Sequence, residues 1–227
     1  MRPRSRKWLW LILSSVCLAI GIFYAACIGW IFALRWINPP TTSVQIQRRI
    51  EAFIHRQRYH KRYAFVPLNR ISPNLQHAVI AAEDGRFFEH HGFDWAEMEK
   101  VLERDVERRK LGRGASTITQ QLVKNTFLTT ERSFVRKGIE FTLVPVVEAV
   151  LTKKRILELY LNVIEWGPGV YGAEAAAEFY YHQHASALGR EESARLAAII
   201  PAPLHRKPNR MNDYTAIILA RMAATGW

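Results

Sequence analysis

The sequence predicts a mainly α-helical protein, with a single N-terminal transmembrane helix followed by an α-dominated domain. Three observations predict it. Trp8 to Leu34 is an uncharged run of 27 residues dominated by Leu, Ile, Ala, Phe and Trp, and about 20 such residues suffice to cross a bilayer. Behind it, apolar residues recur at helical spacing in successive segments, several of them opened by a capping residue. Strand signals are weak, and there is no internal repeat or low-complexity stretch.

The anchor comes first. A cleaved signal peptide would carry an apolar stretch of roughly 7–15 residues before a small-residue cleavage site; this run is longer, and Trp30, Ile31 and Phe32 lead straight into Arg35-Trp36. Arg2, Arg4, Arg6 and Lys7 precede the run and Arg35 alone follows closely. Positive flanks stay cytoplasmic, so the chain after the anchor is expected outside the cytoplasm. Trp8, Trp10, Trp30 and Trp36 suit the two interfaces. The expected division is a cytoplasmic basic tail (1–7), the anchor (8–37), a linker and membrane-proximal basic segment (38–70) and the main domain (71–227).

Both cysteines, Cys17 and Cys27, fall inside the anchor. The exported part therefore has no disulfide to lean on and depends on its own core. The net charge is +12, and about +7 of it lies beyond Arg35. On an exported, tethered domain that charge points to anionic lipid head groups and lipid-linked phosphates, and away from nucleic acid.

The elements follow in order. Asn38 to Ser43 reads as a short linker of turn-forming residues. Ile46, Ile50, Phe53 and Ile54 fall at helical spacing in a basic, aromatic segment, which reads as a solvated face or as contact with anionic lipid. Ser72-Pro73 opens a helix carrying Leu75, Ala78, Val79 and Ala82. Gly112 to Gly114 break the chain before Ser116, an N-cap candidate. A long helix is expected over 132–151, kinked at Pro145, and another from the Thr152 cap to Leu161. Gly167-Pro168-Gly169 and Gly172 mark a loop, and 173–181, 190–200 and 212–224 read as short helices.

Four constellations could carry chemistry. Glu83 continues the Leu75 stripe, and a carboxylate on a buried stripe is costly and has its pKa raised, towards the range of a general base. The same Glu83-Asp84 pair also reads as a fraying helix end. From Ser116 to Asn125 a glycine turn feeds a helix start rich in hydroxyls and amides, suited to receive an oxyanion. There Thr117, Gln121 and Lys124 share a face, with Gln120 and Asn125 nearby; an ordinary capped amphipathic helix is the plainer reading. Arg132, Arg136 and Lys137 surround Glu140, which heads the stripe Val144, Val147, Leu151 and could equally be half of a surface ion pair. The segment from Lys153 to Asn162 and the loop from Glu165 to Gly172 read as structural.

Taken in order, these segments resemble the peptidoglycan glycosyltransferase family, the monofunctional transglycosylases and the N-terminal halves of bifunctional penicillin-binding proteins. Glu83, Asp84, Phe87, His90 and Gly92 match the first motif of that family, and Gly114 to Asn125 match the second without a gap. Arg136, Lys137 and Glu140 match the third, and Lys153, Ile156, Leu157, Glu158, Tyr160, Leu161 and Asn162 the fourth. The resemblance runs from about Leu75 to Pro203. The chain has no Lys-Thr-Gly and no Ser-x-x-Lys beyond the anchor, as a transpeptidase would need, so the match is nearest the monofunctional biosynthetic enzymes. Many members carry a basic residue where this chain has Ile139, which leaves open how the charge at Glu140 is neutralised.

The resemblance implies a lysozyme-like helical domain with a smaller membrane-dipping lobe, on the periplasmic face of a bacterial inner membrane. It implies polymerisation of lipid II into β-1,4-linked glycan. Glu83 would be the general base and Glu140 would organise the diphosphate side. Lys124, Arg132, Arg136 and Lys137 would contact the diphosphate; Asp84, Ser116, Thr117, Gln120, Gln121 and Asn125 would line the substrate. Some members are stimulated by a divalent cation; Mg²⁺ or Mn²⁺ near Glu140 would suit oxygen ligands. The expected partners are lipid II, the growing lipid-linked strand, the membrane, and other cell-wall synthesis or division proteins. A lysozyme-like hydrolase of the same polymer and a non-enzymatic tether are the rival readings; neither needs a diphosphate cradle.

Overall fold

The computed structural model describes residues 3–108, 116–131 and 133–227 of the chain. Helix α1 (Pro3–Ala33) contains Lys7–Ala33, the one helix among the described residues long and apolar enough to cross a membrane. At 1.5 Å per residue that stretch is about 40 Å long, more than the ~30 Å hydrocarbon core. Its last turns are not bare: Cys27, Ile31 and Leu34 are buried with the core of the domain, while Trp8 to Ile22 expose their apolar side chains.

The turn after α1 is held rather than loose. Tyr63 donates to the carbonyl of Pro39 at 2.6 Å, and Lys61 to that of Pro40 at 3.2 Å. Thr42 then caps α2 (Ser43–Ile54), whose apolar residues Ile46, Ile50, Phe53 and Ile54 face outward. A small sheet, absent from the sequence-based expectation, is formed by β1 (Arg62–Tyr63), β2 (Glu165–Gly167) and β3 (Val170–Tyr171). β3 lies in the middle, parallel to β1 and antiparallel to β2, with Arg62 opposite Val170 and Glu165 opposite Tyr171.

The main body is helical. It comprises α3 (Pro73–Glu83), α4 (Trp95–Arg108), α5 (Ile118–Phe127), α6 (Phe134–Val150), α7 (Lys153–Val163), α8 (Ala173–Tyr181), α9 (Arg190–Ile199) and α10 (Asn212–Ala224). α3, α9 and α10 pack together at one end, α5 lies against both α6 and α7, α2 rests on α5, and the end of α1 rests on α6. Leu75, Leu122, Leu143, Tyr160, Trp166 and Tyr171 fill the core.

Several boundaries differ from the sequence reading for local reasons. Ser72 stands at the head of α3, with Pro73 at the first turn, but its hydroxyl donates to Leu188 O at 2.7 Å instead of capping the helix. The cap of α5 is Thr117, not Ser116: its hydroxyl accepts from Gln120 N while the Gln120 side chain accepts from Thr117 N, a reciprocal capping box. α4 was not expected, although Asp94 accepting from Glu97 N at 2.8 Å is an N-cap signal. The glycine turn at 112–114 and Arg132 lie outside the described residues.

Candidate active site

The site grows from the place where α3 ends and α5 begins. Glu83 is the last residue of α3, and Asp84 closes the helix with its N–H on Ile80 O. One Asp84 oxygen accepts from Ile118 N in the first turn of α5 at 2.9 Å; the other meets His90 Nε2 at 2.8 Å. Gly92 N donates to His90 Nδ1 at 3.2 Å, which assigns the ring proton to Nε2, facing Asp84. Thr117 Oγ1 donates to Gly92 O at 2.6 Å. The 84–92 loop is thereby clasped onto the start of α5. Gly92 has φ +92° and a Cβ there would run into Val144, so no other residue passes through this point without strain.

This clasp presents Glu83 to α5. Gln121 Nε2 donates to Glu83 Oε2 at 2.7 Å, and the phenol of Tyr160, on α7, donates to Gln121 Oε1 at 2.9 Å. Burial of the Glu83 carboxyl raises its pKa; the Gln121 hydrogen bond and the positive charges of Lys124 and Arg206 pull it back, while the charge of Asp84 pushes it up further. Lys124, three residues along α5, has its pKa lowered by burial, with Glu140 and Glu83 acting to keep it charged and Arg136 and Lys137 acting against. Glu83 and Lys124 therefore each feel the other's charge. The Lys124 ammonium has no hydrogen-bond or ion-pair partner among the described residues.

Glu140 lies beyond Lys124 on α6 and is 2% exposed. Arg136 donates to its Oε2 at 2.8 Å and Lys137 pairs with its Oε1. That answers how the carboxylate is neutralised despite Ile139: the two bases one turn earlier do it. A divalent cation does not fit this donor set. Both Glu140 oxygens already accept from cations, and no described group of three acidic or histidine ligands includes Glu140. The Asp84, His90 and Asp94 group is engaged internally, Asp94 by Arg86 and Glu97 N.

The structure therefore brings Glu83, Gln121, Lys124, Glu140, Arg136 and Lys137 into one charged neighbourhood. It turns other expected substrate residues inward. Asp84, Thr117 and Gln120 are buried and spend their side chains on backbone groups: Asp84 accepts from Ile118 N, Thr117 donates to Gly92 O, and Gln120 accepts from Thr117 N. Asn125 donates to Gln121 O at 2.8 Å, and Ser116 supplies a carbonyl to Gln121 Nε2 at 3.4 Å. Lys153 of the fourth segment pairs with Glu148, which also accepts from Thr119, and sits over the Phe87 ring at 4.6 Å. It braces the clasp from beneath. Arg206, from the connection between α9 and α10, was missed: in the sequence it is one base among His205, Arg206 and Lys207, and only the fold singles it out. A cavity of about 650 Å³, lined by residues that include Pro67, Leu68, Gln76, Thr152, Arg155 and Glu158, contains none of these site residues.

A helical domain behind a membrane-length helix, with a half-buried carboxyl near an ammonium that has no hydrogen-bond or ion-pair partner among the described residues, fits an enzyme of the glycosyltransferase class. Residues 49–223 match the family model described as Transglycosylase, and the chain belongs to that family of glycosyltransferases. It is similar to the biosynthetic peptidoglycan transglycosylase of Dechloromonas aromatica, 42% identical over 96% of each chain. The protein of that name from Thiobacillus denitrificans is 47% identical, over 86% of this chain and 85% of its own. That from Neisseria meningitidis serogroup C is 41% identical, over 96% of this chain and 94% of its own.

Proposed function

We propose that the chain polymerises lipid II into β-1,4-linked glycan strands at the outer face of the cytoplasmic membrane, releasing undecaprenyl diphosphate. The observation that carries the reading is the nearness of Glu83, at the end of α3, to Lys124 on α5, a proton acceptor and a cation that has no hydrogen-bond or ion-pair partner among the described residues. Glycosyl transfer from a diphosphate donor makes two demands: the acceptor 4-hydroxyl sheds a proton as it attacks, and the departing diphosphate needs its charge met. Glu83 takes the proton. Lys124, Arg132, Arg136 and Lys137 receive the diphosphate, and Glu140 holds the Arg136 and Lys137 side chains in place. Direct displacement inverts the α-linked donor and gives the β-linkage.

Orientation follows the charge on the flanks, with Arg2, Arg4, Arg6 and Lys7 on the cytoplasmic side. The outward Ile46, Ile50, Phe53 and Ile54 of α2, with Trp36 and Ile37 beside the anchor, suit contact with the lipid from which the substrate comes. The test is polymerisation of lipid II by the purified full-length chain. Glu83→Gln is expected to lower turnover by at least about 100-fold, the lower end of general-base contributions, with little change in thermal stability. Turnover within threefold of the parent would remove Glu83 as the base.

A further inference from the structure

We propose that Tyr160 is a positioning residue for Glu83: by donating to Gln121 Oε1 it anchors the Gln121 amide with Nε2 on the Glu83 carboxylate. The proposal rests on the reading of Glu83 as the base and assigns a part in it to a residue otherwise taken as core.

The geometry is a chain of three groups from three helices. Tyr160 on α7 is 0% exposed and its hydroxyl lies 2.9 Å from Gln121 Oε1 on α5. Gln121 Nε2 lies 2.7 Å from Glu83 Oε2 at the end of α3, and its other hydrogen is directed at Ser116 O, 3.4 Å away. An amide side chain has two orientations that differ by exchange of its oxygen and nitrogen. The carboxylate and Ser116 O select the orientation, and the phenol anchors it from the carbonyl side. A tyrosine hydroxyl can also accept, but the flipped amide would turn its carbonyl lone pairs onto a carboxylate and onto Ser116 O, two acceptors against one. Burial and the charges of Glu83 and Asp84 push the Tyr160 pKa well above its ordinary value, so it remains a phenol, and a donor, throughout the working pH range.

The effect on Glu83 has a sign. A donor on Oε2 favours the ionised form, pins that oxygen, and leaves Oε1 for the acceptor hydroxyl. Without the Tyr160 hydroxyl the amide loses its anchor and is free to swing out of line with the carboxylate, the donor is lost part of the time, and Glu83 is harder to ionise. The other groups acting on Glu83 stay as they are: Lys124 from α5, Arg206 from the α9–α10 connection and Asp84 from its own helix end.

Two readouts on the full-length protein in detergent test this. The first is the titration of the Glu83 carboxyl by ¹³C NMR of glutamate labelled at the carboxyl carbon, assigned by the signal lost in Glu83→Gln. The second is the pH profile of kcat/KM for lipid II polymerisation. In Tyr160→Phe the Glu83 midpoint is expected to rise by about one pH unit, the scale of one charge-assisted hydrogen bond. The alkaline-going limb of the rate profile should rise with it, and the lost rate should return at higher pH. An unmoved Glu83 midpoint overturns the proposal. If the midpoint moves and the rate limb does not, the positioning stands and the reading of Glu83 as base fails. Gln121→Ala provides the second variant. It should raise the midpoint by itself, and adding Tyr160→Phe to it should change nothing further; additive shifts, or no shift in Gln121→Ala, would overturn the link through Gln121.

Discussion

Thr117 shows how much one side chain carries. Its hydroxyl accepts from Gln120 N, donates to Gly92 O, and its own N–H is met by the Gln120 side chain. Loss of such a cap costs about 1–2 kcal/mol, and here it also unclips the 84–92 loop from α5. Thr117→Ala is expected to lower Tm by about 2–4 °C per kcal/mol for a domain of this size, while Thr117→Ser retains most of the stability; thermal denaturation followed by circular dichroism reads both. The sequence reading placed Thr117 and Gln120 against substrate because a hydroxyl or amide at a helix start looks alike whether it meets a ligand or the helix's own N–H groups. The discriminating signal was present in the Thr-x-x-Gln spacing. Glu83 was legible because a carboxylate continuing an apolar stripe is itself anomalous. Arg206 was not, because no local rule separates one loop base from its neighbours.

At the scale of elements, legibility follows length. α3, α6, α7, α8 and α10 carry enough residues for a helical period to show, and their expected and observed spans agree within about two residues. The strands carry two or three residues each, too few for alternation to register, and β1 joins β3 across about 110 positions of chain. α2 is the instructive case, since its period was plain but the direction of its apolar face was not. Ser43 and Gln47 bind the 126–130 segment with their polar atoms, at 2.8–2.9 Å, and Arg48 reaches Glu165 at 3.1 Å. The polar side therefore faces the protein and the apolar side faces out. Replacing Ile50 and Phe53 by Ser should change folding stability by under about 0.5 kcal/mol each, as exposed positions do. It should lower partition of the chain with its anchor removed onto anionic vesicles; undiminished partition in a flotation assay would rule out α2 as a lipid contact.

The molecule as a whole is organised about the joint between α1 and α7. Arg155 donates through Nε to Leu34 O at 2.9 Å and through Nη2 to Ile37 O at 3.0 Å and Asn38 Oδ1 at 2.8 Å, and pairs with Glu158. Glu158 in turn accepts from Leu68 N at 2.8 Å. Higher on the same helix, Tyr24 and Thr142 are hydrogen-bonded at 2.8 Å. In proteoliposomes of graded acyl-chain length, turnover should vary with chain length for the parent and vary less for Arg155→Ala; matching profiles would show that the joint transmits nothing.

The carbonyls of Leu34 and Ile37, in the turn that follows α1, are taken by a guanidinium from the main body. Helix α1 and the body are therefore expected to turn together, as one lever with its fulcrum in the lipid. A bilayer that thins or thickens is expected to change the tilt of the helix, and with it the height of the candidate site above the head groups. On that expectation membrane thickness is a mechanical input to the height at which sugars are joined.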